Sequence, residues 1–498
     1  MRRFNTLIVF TVVLVFLGCN SLLEQNPKGE LTEQTLFETP DDAYKALVSI
    51  YRVLHYEHQS PAGHIHYWAF GDVASDDAMK GGESGSDAPE ILQIQNFNIT
   101  ATNPELNAAW KTAYRGIHRA NLVIKNAPNV EGLNQATATR YVNESKFLRA
   151  YWYYDLVRKF GGVPLVLKPS LESYEIPKNS REEIFQQIES DLEAAAGALP
   201  TKSSIPQSEL GRATKGAAQA LACRAHLFQG DFVKAEDWCG RVIDSGEYSL
   251  DSDYSHIFSV DGEHGPGTIF SISYGNNAAY WNDGNVDNIM RGSRGMYGWG
   301  FDTPTQDLVN AFEQDDPRKD ATVFSNGEIL VDGDTADVGN SPTGYICEKY
   351  YVPDDVFPAN YWDTPKDKIR YRLGMVLLWY AEAANENGHT QEALQALNRV
   401  RDRAREGNSS ILPDITTTNK QSLREAIWQE QRVEYAMEQK RFYDLVRTDR
   451  AAKVLHDFAE EYNTQKGANF TEGKNELMPI PQAQIDLSQG NLEQNSGY

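Results

Sequence analysis

Aromatic residues in stretches rich in Gly, Asn and Asp are the side chains of this chain best suited to binding chemistry. The sequence holds 25 Tyr, 20 Phe and 9 Trp. The candidate rings outside helical patterns are Trp68, Tyr280, Trp281, Tyr297, Trp299 and Trp362. The candidate polar partners are Asp76, Asp77, Asn282 and Arg294. A flat ring can cover the apolar C–H face of a sugar, while carboxylate, amide and guanidinium groups hydrogen-bond its hydroxyls.

Each of these rings has a competing interpretation, in which it packs its own loop against the rest of the protein. Other tryptophans lie within helical patterns, and we expect them in the core: Trp110, Trp152, Trp238, Trp379 and Trp428. Residues 60–90 and 270–302, with Trp362, are therefore the predicted ligand surface, and the helices are not.

Metal-binding and catalytic patterns are weak. His64 and His66 have the spacing of some metal sites, but no cluster of further ligands accompanies them. The sequence has no HExxH motif, nucleophile elbow or phosphate-binding glycine loop. We predict no catalytic residue, no metal and no cofactor.

One asparagine- and aspartate-rich stretch could offer oxygen ligands to calcium, through Asn282, Asp283, Asn285 and Asp287. Its spacing lacks the twelve-residue calcium-loop pattern. A solvated turn is the favoured interpretation, and a structural calcium has no other support.

The N-terminus has the order of a bacterial lipoprotein signal. Arg2 and Arg3 precede a run over residues 7–17 that is apolar except for Thr11 and too short to span a bilayer. Gly18 and Cys19 follow, and the chain then turns polar. We predict a signal peptide at 1–18, lipidation of Cys19 and a tether at 19–38. An ordinary secretory signal is the alternative.

Charge excludes one class of partner. The formal net charge is −23, so phosphate backbones should be repelled and nucleic acid is not expected as a ligand. Neutral ligands are compatible with this negative charge. Cys223, Cys239 and Cys347 are too few for a disulfide framework. Cys223 and Cys239 could meet across a helical hairpin, although small buried side chains are the favoured interpretation.

Helical patterns surround the irregular stretches. Thr39, followed by Pro40, predicts a helix start, and the spacing of Ser180 and Glu183 predicts a capping box. Helical periodicity also covers residues 105–127 and 136–160. The predicted scaffold is about 39–58, 105–245 and 371–450, with loop-rich regions at about 59–104 and 246–370.

Two segments share a helix–turn–helix plan. Residues 214–245 turn at Gly230, residues 371–406 turn at Gly388, and in each an alanine lies five residues beyond the glycine. Small residues there let helices approach closely, as in tetratricopeptide repeats. The stretch Tyr154–Arg158 is also echoed by Tyr443–Arg447. The fold class predicted is mainly α, a helical-repeat scaffold with long irregular loops and little sheet.

Charged residues at helical spacings of three and four continue from Glu430 to Arg447. We expect them to form ion pairs that fix helix register rather than a binding patch.

The chain resembles the SusD/RagB family, the surface lipoproteins that serve nutrient uptake in Bacteroidetes. The matching pieces, in family order, are Gln25–Pro27, Phe147–Tyr151, Gly161–Pro164, Asp316–Arg318, Glu348–Tyr351, Ile369–Tyr371, Tyr380–Ala383, Leu397–Arg401, Met478–Pro481 and Gln494–Tyr498. Each piece is weak, but their order over the chain is specific. Departures occur at Gln431, Gln439 and Ser496, where the family often has Arg, Gly and Pro.

The resemblance implies a tetratricopeptide-like scaffold over 39–498 and a non-enzymatic function. It implies a SusC-like TonB-dependent transporter as partner, anchoring in the outer membrane by lipid, and an outward-facing position. An oligosaccharide is the expected ligand. A peptide- or protein-binding protein of the RagB type is the alternative, and a glycan-cleaving enzyme is disfavoured by the missing motifs.

Overall fold

Helices dominate the computed structural model, which describes residues 37–56, 63–170, 173–275, 284–356 and 364–498. The first helices are α1 (Pro40–Leu54), α2 (Pro89–Gln95), α3 (Pro104–Asn126), α4 (Gln135–Phe160), α5 (Arg181–Ala198), α6 (Lys215–Gln229) and α7 (Phe232–Ile243). They are followed by α8 (Asp287–Arg291), α9 (Gln306–Ala311), α10 (Leu373–Asn387), α11 (Thr390–Ala404), α12 (Lys420–Glu434), α13 (Arg441–Arg447), α14 (Ala451–Glu461) and α15 (Gln482–Leu487). None of these described helices is long and apolar enough to cross a membrane.

Two helix starts follow from local side-chain chemistry. Thr39 accepts a hydrogen bond from the Asp42 N–H, and the Asp42 carboxylate accepts one from the Thr39 N–H. Ser180 and Glu183 make the same reciprocal pair at the start of α5. Each arrangement satisfies N–H groups that have no partner inside the helix. Both predicted starts are confirmed.

Successive helices pack on one another from α3 to α7, and α10 packs against α7, α11 and α12. Both predicted hairpins are present, with Gly230 and Gly388 in the left-handed conformation at the turns. Ala235 and Ala393 are fully buried where the helices meet. The predicted mainly helical fold is confirmed.

Strands form three antiparallel pairs among the described residues. β1 (Ala78–Gly81) pairs with β3 (Phe301–Pro304), and β2 (Thr268–Ile272) pairs with β6 (Lys368–Arg372). β4 (Val323–Ser325) pairs with β5 (Tyr345–Cys347). Because two of the pairs join segments far apart in sequence, they fix the irregular regions onto the scaffold.

The apolar interior has two parts. The larger core runs through the helices and includes β2 and β6. The smaller core, which lies around β4 and β5, consists of Phe324, Leu330, Ala336, Val338, Ile346 and Tyr351. Met296 and Tyr297 pack against this smaller core.

The charged run from Glu430 to Arg447 makes ion pairs, but mostly not with its own helix. The buried Glu434 carboxylate forms ion pairs with Arg318 at 3.0 Å, Arg372 at 2.6 Å and Arg403 at 2.5 Å. Burial would raise the pKa of Glu434, yet the three guanidinium groups lower it well below its usual range. The expected ion pairs are present, but most of them do not fix helix register, because their partners come from distant segments.

The two echoed stretches contact each other. In each, an Asp pairs with an Arg three residues on, Asp155 with Arg158 at 2.7 Å and Asp444 with Arg447 at 2.6 Å. The Arg158 guanidinium lies over the ring of Tyr443, 4.1 Å from its centroid. The echo therefore joins the end of α4 to α13.

Cys223 and Cys239 form a disulfide between α6 and α7, with Cα atoms 5.2 Å apart. The favoured interpretation of two reduced, buried thiols is wrong. The close approach of the two helices at their buried small residues brings the sulfurs together. Cys347 is a free, buried thiol.

Replacing Cys223 and Cys239 together by Ala should lower the free energy of unfolding by about 3 kcal/mol, the value for a loop of this length, since the bond spans 16 residues. Denaturant titration measures the change. Cys347→Ala serves as the control and should leave the response to reducing agent intact. If reduction leaves the stability of the parent protein unchanged, the disulfide does not contribute.

Candidate functional site

β1 and β3 bring together the two segments predicted to bind ligand. Ala78 lies opposite Pro304 and Gly81 opposite Phe301, and the Gly82 N–H donates to the Gly300 carbonyl at 2.7 Å. A Cβ on Gly81 would lie 2.1 Å from that carbonyl oxygen, so only glycine permits this approach. Residues 78–90 and 291–304 therefore form one surface.

Trp68 does not belong to that surface. Its side chain is fully buried, with its ring centroid 5.9 Å from that of Phe301 and 5.2 Å from that of His66. A ring enclosed by protein cannot stack on a ligand. The predicted binding role of Trp68 is wrong, and the residue instead supports β3 from beneath.

Asp76 and Asp77 are buried as well, so their predicted role as ligand contacts is also wrong. Asp76 pairs with Arg432 and with Arg441, each at 2.9 Å, and Asp77 pairs with Arg432 at 2.9 Å. A buried carboxylate needs such partners because desolvation penalises its charge. Burial would raise the pKa of Asp76, but Arg432 and Arg441 lower it well below its usual range.

Tyr297 is half-buried and serves the smaller core. Its hydroxyl oxygen accepts a hydrogen bond from the Val352 N–H at 3.0 Å, and its ring lies 6.0 Å from that of Tyr351. Burial raises the pKa of Tyr297 above its ordinary value. The ring thus joins residues 291–304 to β4 and β5.

Besides Tyr297, the structure leaves the predicted ligand residues Arg294 and Trp299 partly open to solvent. Arg294 pairs with Asp87 at 2.9 Å and lies 4.0 Å from Glu83. Trp299 packs one side against the larger core, and its backbone N–H donates to the Ile289 carbonyl at 2.8 Å. We call these four residues, Glu83, Asp87, Arg294 and Trp299, the β1–β3 surface.

Several predicted residues lie outside the described residues: Cys19, Tyr280, Trp281, Asn282 and Trp362. The described residues next to them are joined. The Asn285 N–H donates to the Thr364 carbonyl at 2.8 Å, and the Asn285 amide donates to the Lys366 carbonyl at 2.9 Å. Asn285 and Thr364, described residues that follow two of the gaps, are therefore neighbours.

The predicted solvated turn is wrong for Asn285 and Asp287, which are both buried. Asp287 forms an ion pair with Lys368 of β6. His66 is also engaged, through Nδ1 to a Glu105 carboxylate oxygen at 2.7 Å. The described part of the chain holds no group of three or more His, Cys, Asp or Glu side chains that could bind a metal.

A cleft beside α1 is a feature that the sequence reasoning missed. It has a volume of about 220 Å³, and its lining includes Tyr44, Val48, His55, Arg212 and Ser273. Tyr44 and Val48 are 43% and 44% exposed, whereas most other apolar side chains of α1 are buried. Tyr44 and Val48 are four residues apart and so lie on one face of α1, and this apolar pair was the sequence signal that could have indicated the cleft.

Comparison with known families identifies the scaffold. Residues 266–498 match the model described as "SusD family", and residues 46–227 match the model described as "Starch-binding associating with outer membrane". The chain belongs to the SusD/RagB family.

Relatives match this SusD/RagB chain over nearly its full length. SusD-like protein P2 of Formosa agariphila is 27% identical over 534 aligned positions, covering 100% of both chains. Among solved structures, a laminarin-binding SusD-like protein is 28% identical, covers 93% of this chain and 100% of its own, and has a TM-score of 0.80. Surface glycan-binding protein A from Bacteroides fluxus is 26% identical, covers 92% of this chain and 100% of its own, and has a TM-score of 0.79.

Asp76→Asn should destabilise this SusD/RagB protein by about 3 kcal/mol, because it removes the buried counter-charge of Arg432 and Arg441, two arginines that are mostly covered by protein. Asp87→Asn is the matched control at an exposed pair and should cost less than about 1 kcal/mol. Thermal unfolding compares the two. Equal melting temperatures for both variants would show that the Asp76 pairs contribute no more than a surface pair.

Proposed function

We propose that this protein is a non-catalytic receptor that captures an oligosaccharide at the cell surface and passes it to a TonB-dependent, SusC-like transporter of the outer membrane. The observation that carries the proposal is the full-length likeness to a laminarin-binding SusD-like protein, at 28% identity and a TM-score of 0.80. The family model covering residues 46–227, described as starch-binding, supports the same ligand class.

The β1–β3 surface supports a sugar ligand on chemical grounds. Trp299 offers part of a flat ring, and Arg294 offers donors whose geometry Asp87 fixes at 2.9 Å. Glu83 and Asp87 offer acceptors. A ring beside such a mixed rim matches the apolar face and the hydroxyl edge of a pyranose.

Charge supports an uncharged ligand. The chain carries 70 acidic residues against 47 basic ones, so a strongly anionic polymer would be repelled over the whole surface. A neutral glycan approaches without this cost.

The absence of motifs in the sequence supports a receptor rather than an enzyme. Neither a metal-hydrolase helix nor a nucleophile elbow is present. Purified protein lacking residues 1–19 should bind glycan without releasing products, and detectable turnover would contradict this part of the proposal.

Trp299→Ala should weaken glycan binding roughly tenfold to a hundredfold, because one stacked ring contributes on the order of 1–3 kcal/mol. A glycan array run beside a peptide library identifies the ligand, with laminarin oligosaccharides included. Calorimetry then measures affinity for the parent protein and the variant.

The matched control is Trp428→Ala. Trp428, on α12, is another partly exposed tryptophan, and the Arg450 guanidinium lies over its ring. Melting temperatures must show that both variants are folded. Unchanged affinity in Trp299→Ala would place the ligand elsewhere, and the α1 cleft would be tested next through Tyr44→Ala. Binding to peptides but not to glycans would favour the RagB-type function.

Cys19→Ala should release the protein from the membrane, because the thiol of Cys19 is the proposed attachment point of the acyl chains. Metabolic labelling with palmitate and fractionation of membranes measure the effect. The matched control is Cys347→Ala, which should stay labelled. Unchanged labelling of Cys19→Ala would contradict lipid anchoring.

A further inference from the structure

A small cavity in the core, distinct from the β1–β3 surface, is lined by four positive side chains and one carboxylate. We call it the cationic cavity. Its volume of about 20 Å³ is somewhat more than one water molecule needs, so it admits one water molecule or one monatomic ion. The lining residues that bear on the argument are Tyr154, Arg158, Arg224, Arg370, Gln439 and Lys440.

Positive charge exceeds negative charge around this cavity. Asp155 is the only carboxylate among its described lining residues, and it already pairs with Arg158 at 2.7 Å and Lys159 at 2.5 Å. Arg224 pairs with Asp444 at 2.8 Å, but Asp444 is shared with Arg447. A protein with net charge −23 thus holds a buried excess of cations here.

Among the charged residues that line the cavity, Lys440 is the one without a direct partner in the part of the chain that the structure describes. It is 6% exposed, and its ammonium group donates no hydrogen bond to any residue within the described ranges. Burial lowers the pKa of Lys440 far below its usual range, and Arg370, Arg158 and Arg224 lower it further. The carboxylates facing it are already engaged: Glu438 pairs with Arg372 and Lys349, and Asp72 pairs with Arg291.

Hydrogen-bond donors around the cavity are also left over. The Tyr154 hydroxyl, Arg158 Nε and Gln439 Nε2 are buried with no hydrogen-bond partner in the described structure. Gln439 Oε1 accepts from Arg370 at 2.8 Å, which leaves the amide nitrogen as the free end. Unmet donors among these buried cationic groups favour an acceptor that carries negative charge, because such an acceptor satisfies the donors and also lets Lys440 keep its proton.

We propose that a monovalent anion of about the size of chloride binds in the cationic cavity. It would accept hydrogen bonds from the leftover donors and neutralise Lys440. Because Arg158 lies on α4, Arg224 on α6 and Arg370 on β6, the anion would tie these elements to residues 439–440, between α12 and α13. A water molecule fits the space, but it adds no negative charge, so it would leave Lys440 without a reason to keep its proton.

Thermal unfolding in chloride tests the proposal. Chloride is exchanged for gluconate at constant ionic strength, since gluconate is too large for the cavity. The melting temperature of the parent protein should rise by several degrees with chloride and saturate, as expected for a ligand of the folded state. Lys440→Met should abolish the rise.

The matched control is Lys466→Met, which alters a fully buried lysine that does not line the cavity and donates to the Val73 carbonyl. This variant should keep the chloride response, even if its melting temperature is lower. A response equally lost in both variants, or a parent protein equally stable in chloride and gluconate, would overturn the proposal.

Crystals of the parent protein grown in bromide give an independent readout that does not depend on any variant folding. An anomalous peak should lie within hydrogen-bonding distance of Lys440 Nζ and the Tyr154 hydroxyl. Electron density of a water molecule without anomalous signal would overturn the proposal.

Discussion

Neutralisation of buried charge is the constraint on which this structure depends. Glu434, which is fully buried, is surrounded by guanidinium groups from residues 318, 372 and 403, three segments that are remote in sequence. Removing one partner from such a cluster leaves a charge that the interior cannot solvate, so the segments are stable only when all are in place. The irregular regions are held to the helices by charge as much as by apolar packing.

The same constraint extends to the β1–β3 surface. Arg432 belongs to the charged run but reaches Asp77, just before β1. Arg291, at the end of α8, pairs with Asp72 at 3.3 Å and Asp302 at 2.5 Å, and Asp302 lies within β3. Both strands beneath the surface are therefore positioned by arginines. This preorganisation lets partly exposed side chains such as Trp299 keep one geometry without a ligand.

Local sequence predicted the helices but not which distant residues would pair with each other, and the reason is physical. Caps such as Thr39 and Ser180 act within one turn, and the hairpin at Gly230 depends on neighbouring residues, so local pattern predicts them. Arg432 and Asp77 are 355 positions apart, and nothing local distinguishes a buried ion pair from a solvated one.

The candidate site was predictable as a region and only partly as residues. The aromatic and Asx-rich composition correctly indicated irregular segments, and pairing of β1 with β3 brings two of them together. Composition could not tell Trp68, enclosed beneath Phe301, from Trp299 at the edge. It also misassigned Asn285, because a polar side chain in a loop can be buried when it satisfies backbone carbonyls.

The division of the apolar interior has a consequence for how such a receptor diversifies. The smaller core around β4 and β5 meets residues 291–304 through Met296 and Tyr297, whereas the helical scaffold depends on the larger core. Cooperative units of this kind can change or open separately. Substitutions in the smaller core can therefore reshape the ring-bearing edge while the scaffold stays intact, so ligand preference can drift in a lineage faster than the fold that carries it.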